Sequence, residues 1–273
     1  MATLLMISGA SKGLGRAIAV AFAKAPQLAL DVPLEAVLLA RSTLALGDTT
    51  NLMKSARRCK VEKDDFVVHG YSIDLGNLTT LERNMDPIWQ SHSYLSTTGQ
   101  VPHRAILINC AGTTGFIGRN PTSLQEIQQA TDLNFTSKTW LSSRFIEQYS
   151  KSKTTVVVNI SSMCAIKPTP TMALYCATSA GREMYHSVLA MTTAARILNY
   201  APGSCDTNMQ AMLREHDALD PAVQTYCQSL VSEGKLVRCE DTAAELVRRV
   251  LVEPDSYRSG ERVEYVNMST YKY

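Results

Sequence analysis

The sequence predicts an α/β protein: a single-domain, doubly wound sheet of about seven mainly parallel strands with helices on both faces. Three observations carry this expectation. Short β-branched or aliphatic runs alternate with longer amphipathic stretches from end to end, the pattern of parallel strands joined by crossover helices. A glycine-rich segment from Ser8 to Gly15 connects the first apolar run to the first amphipathic stretch. No repeat, low-complexity segment or linker rich in Pro, Gly or Ser divides the chain, so residues 1–273 are expected to form one unit.

The elements follow in order. Strands are expected at Thr3–Ser8 (TLLMIS), 36–40 (AVLLA), 66–73 (FVVHGYSI), 105–109 (AILIN), 155–161 (TVVVNIS), 196–200 (RILNY) and 262–266 (RVEYV). Each is a short apolar or β-branched run, as suits a strand covered on both faces. Amphipathic stretches at 14–25, 44–58, 79–96, 123–151, 173–193 and 241–252 fill the intervals as helices. The helical stretch 207–234 falls outside this alternation. As an insertion after a late strand, residues 206–236 are expected to form a lid over a substrate site at the carboxyl ends of the strands.

Composition excludes several classes. The formal charge is +2 and no long basic run occurs, which speaks against a nucleic-acid partner. No apolar stretch reaches the roughly 18 residues of a membrane span, so no membrane partner is expected. The seven cysteines, Cys59, Cys110, Cys164, Cys176, Cys205, Cys227 and Cys239, contain no CxxC pair and are odd in number. Neither disulfides nor a structural metal is expected, and a reducing cytoplasm suits them. The histidines show no ligand spacing.

The glycine-rich segment has the chemistry of a phosphate site. Gly9 takes a tight turn that a Cβ would obstruct, Gly13 lets backbone approach a pyrophosphate, and Gly15 allows close packing. With Ala10, Ser11, Lys12 and Leu14 it opens a helix whose free N–H groups face the phosphates. The second strand ends in Arg41 and Ser42, where a carboxylate would serve the ribose of NAD. A guanidinium there suits the additional 2′-phosphate of NADP, and Lys12 is within reach of the same phosphate, so NADPH/NADP+ is the expected cofactor. Asp74 and Leu75 end the third strand, where they would meet adenine. Asn109, Ala111 and Gly112 end the fourth, where small residues let backbone lie against ribose.

Tyr175 follows Ser162 by thirteen residues, and Ser162 closes the fifth strand run. A phenol beside a strand-end serine hands a proton to a carbonyl oxygen.

Together these residues resemble the short-chain dehydrogenase/reductases over nearly the whole chain. The resemblance rests on the glycine turn, Asp74-Leu75, Asn109-Cys110-Ala111-Gly112, Asn134, Ser162, Tyr175 and Pro202-Gly203. It implies a Rossmann-type fold with Ser162, Tyr175 and Asn134 as catalytic residues. It also implies that the backbone and side chains of Cys205, Asp206, Thr207, Asn208, Met209 and Gln210 hold the nicotinamide end. The segments around Ser162-Met163-Cys164, Ala173–Ala177, Ile197–Gly203 and Ser259–Tyr265 are similar to the branch of that family that reduces the side-chain ketones of pterins. That likeness implies a pterin or other ketone substrate held by Ser162, Met163, Tyr175 and Gly203. It also implies a carboxylate, Glu264, on the pterin ring, and a cytoplasmic homodimer paired through 123–151 and 173–193.

One position departs from the family. Four residues after Tyr175, where a lysine would bind the nicotinamide ribose and polarise the phenol, stands Ser179. Arg182, two helical turns from Tyr175, is not expected to reach back. Several readings stay open: a weakened reductase of pterins, diketones or quinones; a catalytically silent binder or sensor of NADPH; or a chain whose lysine was exchanged by design.

Overall fold

The computed structural model describes residues 2–25, 33–57, 66–91 and 101–265. Among them, seven strands form one parallel sheet: β1 (Thr3–Ser8), β2 (Leu34–Ala40), β3 (Phe66–Ser72), β4 (Arg104–Asn109), β5 (Thr154–Ile160), β6 (Arg196–Ala201) and β7 (Arg262–Glu264), in the order β3-β2-β1-β4-β5-β6-β7. The helices are α1 (Gly13–Lys24), α2 (Thr43–Ala56), α3 (Leu78–Gln90), α4 (Leu124–Thr131), α5 (Ser137–Gln148), α6 (Ala173–Thr192), α7 (Asn208–Glu215), α8 (Pro221–Ser232) and α9 (Cys239–Val247).

Burial explains why the strands are continuously apolar. Every residue of β1 is buried, and alternate side chains feed opposite faces of the sheet. Leu5 and Ile7 pack with Ile18 and Phe22 of α1 and Leu246 of α9. Leu4 and Met6 pack with Met85 of α3 and with Leu141 and Phe145 of α5. Each fully buried side chain of this size stabilises the fold by about 1.5–3 kcal/mol. The doubly wound expectation therefore holds, with a helical layer on each face.

Several boundaries differ. β2 begins at Leu34, because Leu34 pairs with both Thr3 and Phe66. The expected helix 123–151 is interrupted by a π-helical turn, Asp132–Thr136, between α4 and α5. This wider turn carries Asn134 into the interior, where its amide binds both backbone groups of Thr113. A second π turn, Arg248–Val252, follows α9. The stretch 207–234 is two helices, since Asp220 caps α8 through the Ala222 and Val223 N–H groups and Pro221 occupies the first turn. Arg58, residues 92–96 and Val266, expected at element ends, lie outside the described residues, as do Cys59, His92 and the segment 267–273.

α5 and α6 run side by side in the same direction, with contacts advancing together from Asn134 and Arg182 to Thr139 and Tyr185, then to Ser142 and His186. His186 is fully buried between them. Its Nδ1 lies 2.7 Å from the Arg182 carbonyl and so carries the proton, leaving Nε2 to accept from Ser142, which in turn accepts from Asn109. Burial first, with Arg182 and Lys138 adding to it, pushes the imidazole down to about 4.

The unfolded chain therefore binds a proton that the fold refuses between about pH 6.5 and 4. Stability is full above that window and falls by up to about 3 kcal/mol as pH drops through it. Chemical denaturation at a series of pH values should show this decline, and His186→Gln should flatten it.

Candidate active site

A cleft of about 1900 Å³ opens at the carboxyl ends of the strands. It lies where β1 has β2 on one side and β4 on the other, the point at which the chain's progression across the sheet reverses. It exceeds the roughly 300–1,000 Å³ of a single small-molecule pocket, which leaves room for an extended ligand and a second, smaller one.

The turn after β1 forms the floor of the cleft's centre. Gly9 has φ +74°, and a Cβ on it would stand 2.7 Å from the Ala111 backbone. A Cβ on Gly15 would stand 2.2 Å from the Gly9 carbonyl, so the turn closes only with glycine at both places. Ser8 ties the turn to the end of β4 by accepting from the Cys110 and Ala111 N–H groups. Lys12, at the N-terminus of α1, makes no side-chain cap, so the first-turn N–H groups are left for a ligand.

At one end of the cleft, Arg41 is exposed on the lining, while its carbonyl accepts from Ser72. Ser42 caps α2 through the Ala45 N–H. Asp74 accepts from the Gly76 N–H and also lines the cleft.

The other end holds Ser162 and Tyr175. The Ser162 oxygen accepts from the Cys164 N–H at 3.2 Å, which leaves the hydroxyl proton to be donated elsewhere. The Tyr175 phenol shares this end of the cleft with Ser162. Its pKa is raised, first by burial and then by the nearby Cys164, against opposing contributions from Arg182 and Ser162. α7 and α8 cover this end with an apolar wall in which Tyr175 packs near Met172, Met212 and Val223. The wall is pinned by Thr171, whose φ of +63° is uncommon for a β-branched residue. Thr171 accepts from the Gly118 N–H at its carbonyl and from the Asp220 N–H at its hydroxyl. The chain leaves and rejoins the sheet side through a bridge between Cys205 and Val237.

Arg182, which the sequence did not place here, also lines this end of the cleft. Its guanidinium donates to the Asn134 carbonyl at 2.6 Å, to Asn159 Oδ1 at 2.7 Å and to the Ile160 carbonyl at 3.1 Å. Among the described residues it forms no ion pair, and it borders the cleft. A long side chain on a helix can lie back over the preceding turns, so the two-turn separation does not keep it from the site. Lys138 of α5 is also buried and also borders the cleft.

A model of the short-chain dehydrogenase family matches residues 3–218. The chain belongs to the short-chain dehydrogenase/reductase family. It is 33% identical over 274 residues to sepiapterin reductase of Rattus norvegicus, covering 96% of each chain. It is also 30% identical over 226 residues to benzil reductase ((S)-benzoin forming) of Bacillus subtilis (strain 168), covering 80% of each. Its fold superposes on a crystal structure of actinorhodin polyketide ketoreductase with NADPH at a TM-score of 0.76 and 18% identity, covering 99% and 98% of the two chains. The chain is thus a carbonyl oxidoreductase working with a nicotinamide cofactor.

As a short-chain dehydrogenase/reductase, the chain gathers most of the expected residues on one cleft. Gly9, Ser11 through Gly15, Arg41, Ser42, Asp74, Leu75, Ala111 and Gly112 line it. So do Asn134, Ser162, Met163, Tyr175, Gly203 and Cys205 through Gln210. Four do not. Ala10 is buried, with its carbonyl accepting from Thr49, and Asn109 is buried against Ser142. Ser179 is fully buried, and its hydroxyl has no partner. Glu264 stands on β7 and accepts from Arg262, which also binds Glu183. Lys138 was missed because a lone lysine in an amphipathic helix gives no sequence signal of facing inward.

Gly15→Ala should abolish any rise in melting temperature produced by a nicotinamide nucleotide, because its Cβ has no space. Gly47→Ala is the control: nothing lies within 4 Å of that Cβ, so it should raise stability by up to about 1 kcal/mol and leave nucleotide binding unchanged.

Proposed function

We propose that the chain reduces ketones with NADPH, and that its substrate is the side-chain ketone of a pterin such as sepiapterin. The observation that carries this reading is a phenol, Tyr175, kept protonated by burial and sharing the cleft end with Ser162 under an apolar wall. The residues at the centre of the cleft fit a dinucleotide, since the glycine turn forms a cradle that side chains would fill and the helix N-terminus beside it has no side-chain cap. When bound, the nicotinamide supplies hydride.

The protein's part is charge management. Ser162, its oxygen already holding the Cys164 N–H, donates its proton to the carbonyl oxygen and fixes its position. Tyr175 donates the phenolic proton as negative charge grows on that oxygen. Burial keeps the phenol protonated at neutral pH, the form reduction needs. α7 and α8, within residues 206–236, act as the lid that excludes water. Arg41 and Lys12 are the groups for a 2′-phosphate, which favours NADPH.

The pterin assignment rests on the similarity to sepiapterin reductases. Glu264, engaged with Arg262 and outside the cleft lining, lends it no support. That arrangement and the apolar wall favour a second substrate reading, an aryl diketone, in line with the benzil reductase relative. The same reading makes the protein a cytoplasmic homodimer. The six described cysteines are free thiols, and Met184, Val188 and Met191 form an exposed apolar stripe at helical spacing on α6.

Tyr175→Phe should lower the turnover of NADPH with sepiapterin or benzil by at least about 100-fold. Reduction should stay flat through neutral pH and decline only above the ordinary phenol range of about 10, while alcohol oxidation should rise with pH. Arg41→Ala should weaken NADPH by about tenfold or more and leave NADH nearly unchanged, and equal weakening of both would remove the 2′-phosphate assignment. Val188→Glu should turn a dimer into a monomer in light scattering.

A further inference from the structure

The place one turn after Tyr175 carries no charge: Ser179 is fully buried and its hydroxyl has no partner. The opposite helix holds the surplus. Lys138 lies on α5, one turn after Asn134, with only 3% of its surface exposed. Its ammonium is 3.6 Å from where a Cβ on Gly112 would stand, and Asn134 Oδ1 is 3.4 Å from the same point. Among the described residues no carboxylate pairs with it. It therefore sits on the cleft wall where β4 ends, beside backbone that borders the ligand space.

A buried ammonium without a counter-ion is costly unless something hydrates or binds it. Burial and then the Arg182 guanidinium push its pKa well below the ordinary lysine range. The oxygens of a bound ligand would offset that cost. The parallel course of α5 and α6 places residue 138 between the levels of Arg182 and Tyr185 on α6, beyond Ser179 along the helix. Arg182 holds the Ile160 carbonyl, two residues before Ser162, and lines the cleft together with Ser162 and Tyr175, where its charge opposes the burial that raises the phenol.

We propose that two residues divide the work of the missing lysine: Lys138, reaching from α5, donates to the ribose hydroxyls of the nicotinamide nucleotide, and Arg182 is the positioning residue that polarises Tyr175 and holds the Asn134 carbonyl. This rests on the reading of the cleft as a nicotinamide site.

The experiment is NADPH titration by fluorescence on the full chain, with steady-state reduction of sepiapterin and melting curves without nucleotide. Lys138→Met, and Lys138→Gln as a second variant, should weaken NADPH about ten- to hundredfold, the loss of one charge-assisted hydrogen bond. Their melting temperatures should not fall, because a buried charge is removed. Adding Ser179→Lys to Lys138→Met should recover most of the affinity. The pH at which reduction declines should not move in Lys138→Met, since Arg182, Cys164 and Cys176 are the groups facing the phenol. NADPH affinity within twofold of the parent, or a loss that Ser179→Lys leaves unrepaired, overturns the proposal. A parent chain that binds no NADPH overturns the nicotinamide reading and this inference with it.

Discussion

The reaction end of the cleft depends on the three hydrogen bonds of the Arg182 guanidinium. One reaches the π turn between α4 and α5, and two reach β5, on Asn159 and at the Ile160 carbonyl. All three acceptors are neutral, and the positive charge opposes the burial that raises Tyr175. Asn159 passes the connection to Asn199 of β6, and Asn199 binds the Gly260 carbonyl before β7. Removing the guanidinium would strand buried acceptors on each element, a loss of about 1–3 kcal/mol for each one left unpaired. The π turn fits the same logic. A regular helix would keep the Asn134 carbonyl within its own ladder, whereas the wider turn gives it to Arg182 and turns the Asn134 amide onto Thr113.

The two ends of the cleft are built on different physics. At the nucleotide end the constraint is steric: backbone approaches backbone so closely at Gly9 and Gly15 that no Cβ fits, and the ligand meets N–H groups and solvated cations. At the reaction end the constraint is electrostatic. Burial raises Tyr175 and lowers Lys138, and each holds the protonation behaviour its surroundings impose. The apolar wall of α7 and α8 packs against Tyr175 and adds to its burial.

The sheet and the glycine turn were legible because their signals are local. Buried parallel strands read as apolar runs, and a turn with positive φ reads as glycine. Most of the residues expected at the cleft line it, the Ser162–Tyr175 pair among them, and they follow from fixed spacing along a strand–turn–helix path. The π turn did not show, because one extra residue in a helix leaves the apolar periodicity of 123–151 almost intact. Arg182 and Lys138 were hidden for another reason. Their roles arise from helices brought together in space, and a charged residue on an amphipathic helix looks like a solvated one. Glu264 shows the opposite case: a carboxylate expected at the substrate accepts from Arg262 two residues away and stands off the cleft lining.

The central claim is that this cleft transfers hydride to a ketone under the proton donor Tyr175. Transfer of label tests it most directly: NADPH deuterated at the hydride position is incubated with sepiapterin or benzil, and the product is weighed by mass spectrometry. The account predicts an alcohol carrying one deuterium at the former carbonyl carbon, formed by the parent chain and at least about 100-fold more slowly by Tyr175→Phe. NADPH that binds while no labelled alcohol forms, or label transferred equally well without the phenol, would contradict it.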